Sequence, residues 1–203
     1  MRFVGYLIPL VQSLPPLGVW TGLMTLPFAT YLIMMFTNLP VSLPTALSEF
    51  FTPFFIIEKA FLIIGLIILV YSVVHLKMKK KEALVTSGPY RLVRHPQYFG
   101  IILSTIGLTG WSVWILNSTF GIGFLSSSQT IGVWFIQLLA YIILAFVEEL
   151  YLAKNHGDAF KNYASQVPFL VPFFNTKRKF LDILLSIVIP SILLSISINI
   201  HIV

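Results

Sequence analysis

The chain has 203 residues, of which 57% are hydrophobic and only 10% are charged. A typical soluble domain carries about 25% charged residues, so the composition nearly excludes a water-soluble globule. The hydrophobicity also excludes intrinsic disorder. With no cysteine, the chain has no disulfide framework, no cysteine zinc site and no thiol nucleophile. Its length suits one domain, 1–203, and we predict an all-α fold, a polytopic transmembrane helix bundle.

Apolar stretches of the roughly 20 residues that a membrane-spanning helix needs recur along the chain. Residues 3–48 carry no charged side chain. Prolines interrupt this first stretch. We therefore expect one span near 17–37 after an interfacial segment that starts at Arg2, with two short spans as the alternative. About five spanning helices result, the later four at 54–76, 97–117, 131–153 and 181–202.

The net charge of +6 is distributed as in a membrane protein rather than a nucleic-acid-binding protein. Residues 77–96 and 154–180 contain 11 of the 13 Lys and Arg residues, whereas 38–53 and 118–130 contain none. By the positive-inside rule, the two basic stretches face the cytoplasm. We therefore predict a multi-pass integral membrane protein with its functional pocket on the cytoplasmic side. Membrane lipids are expected partners, and nucleic acid is not.

The segment 84–100 concentrates the side chains that can do chemistry. Its Gly-Pro dipeptide predicts a turn, and Pro96 suits the first turn of the next helix, where its missing N–H costs nothing. Proline restricts the preceding His95 to an extended conformation. The free N–H groups of the helix start, together with Arg91 and Arg94, indicate an anion site. An ordinary basic loop with a proline cap is the alternative.

Glu148 and Glu149 lie near the inner end of a predicted span, where acidic residues oppose the helix macrodipole. Two carboxylates in an apolar bundle require a partner or a role. Adjacent positions differ by about 100° around a helix, so at most one points into a given cavity while the other lies at its rim. Pairing with Lys154 or Arg94 is the structural alternative. Because the segment 84–100 is predicted on the same side of the membrane, it can form one pocket together with the two glutamates.

His75, at the inner end of the span 54–76, lies at the level of these residues. A histidine at a helix C-terminus is typically a dipole partner, and ligand binding is the competing interpretation. We expect no metal, since the histidines lack ligand spacing. The chain also lacks a Gly-x-Gly-x-x-Gly fingerprint and a P-loop, which excludes a soluble Rossmann-type methyltransferase or dehydrogenase.

Two stretches of the sequence carry a resemblance to a known family. Residues 84–90, Leu-Val-Thr-Ser-Gly-Pro-Tyr, and 94–100, Arg-His-Pro-Gln-Tyr-Phe-Gly, resemble isoprenylcysteine carboxyl methyltransferases and their prokaryotic relatives. The similarity covers about residues 70–175. Phospholipid N-methyltransferases share the Arg-His-Pro-x-Tyr and Glu-Glu elements and are the nearest alternative. The C-terminal signature is matched in order and spacing by Glu148, Glu149, Gly157, Tyr163, Val167, Pro168, Pro172 and Phe173.

The resemblance implies S-adenosylmethionine as cofactor and a lipid-borne acceptor that enters from the bilayer, most simply the C-terminal carboxylate of a prenylated cysteine. By position it implies catalytic roles for Arg94, His95 and Glu148. Two departures stand out, because Leu144 replaces an arginine of the family's substrate site and His75 replaces a glutamine. The implied cofactor-binding residues are His75, Glu82, Ala83, Leu84, Val85, Tyr90, His95, Pro96, Gln97, Tyr98, Glu148 and Glu149.

Methyl transfer by in-line displacement requires acceptor and methyl group to be held about 3–3.5 Å apart and aligned. A carboxylate acceptor is already ionised, whereas an amine must first lose a proton. We expect Arg91, Arg94 or the helix start to face the cofactor carboxylate and Glu148 to accept from its ammonium or hydroxyl groups. The competing hypotheses are lipid amine N-methylation, a sterol-type NADPH reductase and an inactive membrane scaffold.

The charge asymmetry gives a testable topology. A cysteine introduced at Lys80 should react with an impermeant thiol reagent from the cytoplasmic side, and one at Ser127 from the opposite side, because only the first lies in a basic stretch. The cysteine-free parent is the blank. Labelling of both positions from one side would contradict the topology.

Overall fold

The computed structural model describes residues 16–38, 42–79, 82, 84–119, 123–176 and 178–200. Within these ranges all regular structure is helical, as the composition predicts, and no strand is present. Two short 3₁₀ turns, Pro53–Phe55 and Gly88–Arg91, connect the longer elements. The α-helices are α1 Pro16–Thr37, α2 Leu43–Phe50, α3 Ile56–Met78, α4 Pro96–Ser118, α5 Ser127–Gln166 and α6 Lys179–Asn199.

Four helices have the length and hydropathy needed to cross a membrane, namely α4, α5, α6 and α3 with its preceding 3₁₀ turn. This confirms four of the predicted spans and a multi-pass integral membrane protein. Helix α1 occupies the predicted first span, but its apolar stretch Gly22–Thr37 is shorter than 18 residues. A fifth span therefore stays a prediction, and the interfacial segment before residue 16 lies outside the described residues.

The central helix of the bundle is α4. In its most apolar stretch 89% of the residues are buried, against 17% for α3, which leaves most of its surface for lipid. Small residues bring the two helices together, as is usual in membranes, where no hydrophobic force drives helix association. A Cβ atom at Gly100 would lie 2.7 Å from both the Gly65 carbonyl oxygen and the Leu69 amide nitrogen. From the sequence, Gly100, Gly107 and Gly110 on this helix predict close helix packing, and the short distance at Gly100 confirms it.

Buried polar contacts attach the outer helices to α4 and α3. The Tyr31 hydroxyl of α1 lies 2.7 Å from the Thr109 hydroxyl of α4. At the opposite end of the chain, Ser197 of α6 donates a hydrogen bond of 2.9 Å to Glu58, which is fully buried on α3. Such bonds specify which faces meet, because a polar group without a partner is costly in an apolar interior.

One predicted boundary is wrong. We expected a span at 131–153 followed by a basic loop over 154–180, whereas α5 continues as far as Gln166. Gly157 explains the difference, since its φ of 50° and ψ of −120° are not helical, and α5 consists of two helical segments joined at this kink. Beyond the bend, Asp158 and Lys161 form an exposed ion pair of 2.9 Å at helical spacing. The basic stretch that follows the predicted span therefore includes about two further helical turns. Gly157 gives these turns a new direction.

Gly100→Ala should destabilise the bundle relative to Gly132→Ala. Both substitutions gain the same helix propensity, about 1 kcal/mol. A methyl group at Gly100 meets backbone atoms that cannot move aside, whereas nothing lies within 4 Å of one at Gly132. We expect Gly100→Ala to be less stable by about 1–3 kcal/mol, measured by unfolding in detergent. Equal stability of the two variants would show that α3 and α4 can separate freely.

Candidate active site

The turn before α4 fixes the orientation of the central site residue. Pro96 is the first residue of α4, and His95 is its N-cap, with φ −125° and ψ 62°. This agrees with the non-helical conformation predicted from the His-Pro pair. Upstream, Gly88 has a φ of 60°, and a Cβ atom there would lie within 2.9 Å of three atoms of the His75 ring. The loop can therefore fold closely onto α3 only with glycine at this position.

His95 lies between the two predicted carboxylates. Its Nδ1 is 3.3 Å from Glu148 Oε2, and its Nε2 is 3.6 Å from Glu149 Oε1. The ring is 1% exposed, stacks on Tyr98 and meets Phe169 edge-on. Both ring nitrogens thus face an acceptor, which only the doubly protonated imidazolium satisfies.

The electrostatics favour the same protonation state. Burial alone lowers the pKa of His95, but hydrogen bonds and negative charge from Glu148 and Glu149 outweigh it, and the pKa lies above its ordinary value. A raised folded-state pKa stabilises the fold below the unfolded-state pKa, and this contribution is lost as the pH rises through the folded-state value. The two carboxylates therefore favour the protonated form of His95.

The two adjacent glutamates differ in their surroundings. Glu149 is 6% exposed and faces three cationic groups. Arg94 Nε lies 2.6 Å away, the His95 ring 3.6 Å and Lys179 Nζ 3.8 Å. The Glu148 side chain is 26% exposed and borders the Tyr98 hydroxyl. One carboxylate is thus enclosed by cations and the other is partly open, where it can meet a ligand. That one of them points into a cavity stays a prediction.

Arg94 holds both sides of the bend in α5. Its Nη1 donates to the carbonyl oxygens of Ala164, at 2.5 Å, and Val167, at 3.0 Å, beyond the bend. Its Nε faces Glu149 before the bend. The carbonyls at a helix end have no partner inside the helix, and a guanidinium suits them well. Of the two predicted roles, the buried Arg94 therefore satisfies the structural one, the ion pair with Glu149.

Several buried polar atoms next to this cluster have no hydrogen-bond partner among the described residues. They include the Tyr90 hydroxyl and Gln97 Oε1. Burial raises the pKa of Tyr90 above its ordinary value, so its hydroxyl stays protonated and can donate. Buried polar atoms are normally bonded, and exceptions indicate a missing ligand or water.

The remaining predicted site residues lie outside this cluster. The His75 Nε2 is 3.0 Å from the Ser87 hydroxyl, and the His75 ring stacks on Tyr90. His75 therefore holds the loop before α4. Glu82 is exposed and pairs with Lys79 at 2.6 Å. The predicted contacts Leu84 and Val85 are half-buried, and Pro96 is buried at the start of α4. Ala83 lies outside the described residues.

Three cavities open around the segment 86–99. An apolar cavity of about 680 Å³ lies between α3 and this segment, lined by Ile68, Leu92 and Phe99 among others. A smaller apolar cavity of about 230 Å³ shares Phe99 with it and continues to α6. A polar cavity of about 400 Å³ is lined by Thr86, Arg91, Asn162, Tyr163, Gln166 and Val167. Among the described residues, no group of His, Asp and Glu side chains is arranged to hold a metal ion.

Comparison with known families agrees with this arrangement. The model of the phospholipid methyltransferase family matches residues 41–159, more than half of the chain. The chain belongs to this family. Its match covers α3, α4 and most of α5, and so includes His95, Arg94 and both glutamates. The methyltransferase resemblance inferred from the motifs is thereby confirmed.

Two curated relatives of this methyltransferase-family chain come from Arabidopsis thaliana. Protein-S-isoprenylcysteine O-methyltransferase B is 34% identical over 109 residues, which cover 51% of the chain and 48% of the relative. Protein-S-isoprenylcysteine O-methyltransferase A is 31% identical over 104 residues, which cover 50% and 46%. The chain thus spans about half the length of the curated relatives it matches. No solved structure matches it.

Two residues of the site were not predicted from the sequence of this family member. Lys179 begins α6, and its Nζ lies 4.1 Å from the Phe146 ring centroid while facing Glu149. Phe169 packs against both His95 and the Arg94 guanidinium. No local pattern indicates either residue, because each reaches the site only through the path of the chain after α5.

Glu149→Gln and Glu148→Gln should separate structural from ligand-facing roles. The first leaves Arg94 buried without a counter-charge, which should cost about 3–5 kcal/mol of folding free energy. The second removes one of the two carboxylates that face the buried His95 but leaves the Arg94 ion pair intact, so it should cost less, about 1–3 kcal/mol. Unfolding of both variants in detergent measures the difference. A Glu149→Gln variant as stable as Glu148→Gln would contradict the enclosed ion-pair cluster.

Proposed function

We propose that this protein is an S-adenosylmethionine-dependent methyltransferase that methylates the C-terminal carboxylate of a prenylated cysteine. The observation that carries the proposal is the His95 imidazole held between Glu148 and Glu149, directly beside buried polar groups without partners. The two relatives, both named as isoprenylcysteine O-methyltransferases, support the choice of reaction.

The residues present suit this cofactor. Glu148 offers a partly exposed carboxylate for the ammonium or hydroxyl groups of the cofactor. The hydroxyl of Tyr90 lies within range of the Glu148 charge and has unused hydrogen-bonding capacity. S-Adenosylmethionine supplies an electrophilic methyl group on a sulfonium, which becomes a neutral thioether when the C–S bond breaks. The chain's own groups bind and orient the reactants.

Positioning rather than acid–base chemistry explains the reaction at such a site. His95 is committed to two carboxylates as a cation, and Arg94 to Glu149 and two carbonyls. Both side chains are therefore engaged in holding the site. An amine acceptor would need a base, for which Glu148 is the partly exposed candidate, whereas a carboxylate reacts in its ordinary ionised state. A carboxylate acceptor thus requires only positioning from this site.

The apolar cavities provide a place for the lipid part of the acceptor. The cavity of about 680 Å³ is within the range of ligand pockets, and it borders α3, the helix with the most exposed apolar surface. A chain entering sideways from the bilayer would exchange lipid contacts for Ile68, Leu92 and Phe99. We propose that the site faces the cytoplasm, in agreement with the basic stretches around it.

Cofactor binding should depend on Glu148 and His95. Glu148→Gln should weaken S-adenosylmethionine binding about 10- to 150-fold, because a charge-assisted hydrogen bond contributes about 1.5–3 kcal/mol. His95→Ala should weaken it too, because His95 holds the Glu148 carboxylate in place. Calorimetry of the detergent-solubilised protein measures the affinity, with NADPH as the control ligand for a reductase. Asp158→Asn, which changes an exposed carboxylate beyond the bend in α5, is the matched variant and should bind normally. Unchanged binding in the first two variants would assign them a structural role.

The acceptor can be identified with tritium-labelled S-adenosylmethionine. An S-farnesyl cysteine analogue and phosphatidylethanolamine are offered in parallel. We expect a base-labile methyl ester on the farnesyl compound, because a carboxylate needs no base. Turnover of the analogue should be modest, since Leu144 packs against the apolar core and offers no charge to the acceptor. Leu144→Arg should improve it if the added cation reaches the carboxylate. Base-stable label confined to the phospholipid would instead establish N-methylation.

A further inference from the structure

Arg91 lies where an apolar cavity and a polar cavity meet. It lines the cavity of about 680 Å³ beside α3 together with Leu92 and Phe99. It also lines the cavity of about 400 Å³ whose other walls include Thr86 and Asn162. A ligand that contacts both spaces must be amphipathic, with a hydrocarbon part on one side of Arg91 and a polar group on the other.

The polar side of this junction suits an anion. Among the described residues that line the polar cavity, none is acidic, and Arg91 is the only charged one. Its neutral members include the Thr86 hydroxyl and the Asn162 and Gln166 carboxamides, which can all donate hydrogen bonds. A guanidinium beside several donors is a typical arrangement for a carboxylate or a phosphate.

Arg91 is available for this task, whereas the neighbouring arginine is not. Arg94 is 6% exposed and is committed to Glu149 and to the carbonyls of α5. Arg91 is exposed and forms no ion pair within the described part of the chain. Arg91 is the last residue of the 3₁₀ turn Gly88–Arg91. The Tyr163 hydroxyl anchors this turn by donating a hydrogen bond of 2.7 Å to the Tyr90 carbonyl oxygen. The guanidinium therefore projects from a fixed backbone.

We propose that Arg91 binds the carboxylate of the lipid-borne acceptor while the acceptor's hydrocarbon chain lies in the adjacent apolar cavity. This inference rests on the proposed function and makes Arg91 the residue that selects an anionic acceptor. The cofactor carboxylate is the competing occupant. The acceptor is favoured because the larger cavity that Arg91 lines is apolar, which suits a hydrocarbon chain and not a nucleoside.

The test compares two ligands that differ only in charge, N-acetyl-S-farnesyl cysteine and its C-terminal carboxamide. Binding of each to the full-length protein in detergent is measured by calorimetry, for the wild type, Arg91→Gln and Arg178→Gln. Arg178 is an exposed arginine at the start of α6 that lines neither cavity, so it controls for the loss of one positive charge. Unfolding temperatures verify that each variant is folded.

We expect the wild type and Arg178→Gln to bind the carboxylate about 10-fold more tightly than the carboxamide, as one charge-assisted bond allows. Arg91→Gln should lose this preference and bind the carboxamide unchanged. In the transfer assay its KM for the carboxylate should rise about 10-fold with kcat retained, because binding to ground state and transition state falls together. Its affinity for S-adenosylmethionine should match that of the wild type.

Three results would overturn the inference. The first is a carboxylate preference that survives in Arg91→Gln, and the second is a wild type that binds neither ligand. The third is an Arg91→Gln variant that loses affinity for S-adenosylmethionine while its binding of the acceptor is unchanged. The last result would assign Arg91 to the cofactor. A wild type that binds the carboxylate through Arg91 but transfers no methyl group supports this inference while it refutes the proposed reaction.

Discussion

A buried carboxylate in a membrane-embedded bundle is the constraint on which the site depends. Glu149 is almost fully enclosed, and removing such a charge from water costs several kcal/mol unless cations surround it. Arg94 and His95, from the turn before α4, and Lys179, from the start of α6, meet this requirement. The turn before α4, the inner part of α5 and the start of α6 are thus held in one arrangement by a single anion.

In this arrangement, neighbouring residues of the same type have different roles. Because Glu149 takes up the cations of the protein, Glu148 remains at the rim with part of its surface open. In the same way, Arg94 is consumed in holding α5, whereas Arg91, three residues earlier, stays exposed beside two cavities. Two pairs of like residues therefore separate into one that builds the site and one that can face a ligand.

Much of this was predictable from the sequence. The lengths of the apolar stretches predicted the spans, because an apolar helix must cover the bilayer core. The small residues Gly100 and Gly107 indicated close helix packing. The Arg-His-Pro turn and the paired glutamates identified the cluster. Local patterns could not reveal that α5 passes Gly157 as a bent helix, or that Lys179 returns to Glu149. Both depend on the direction of the chain in space, which periodicity does not encode.

The bend in α5 has a consequence for local unfolding. A single guanidinium, that of Arg94, bonds to the helix before and after Gly157. The terminal turns over 158–166 can therefore leave the bundle only when the hydrogen bonds from the guanidinium that also pairs with Glu149 are broken. Opening of these turns thus removes two of the contacts that orient Arg94 beside Glu149. The folding of the end of α5 is in this way linked to the geometry of the site.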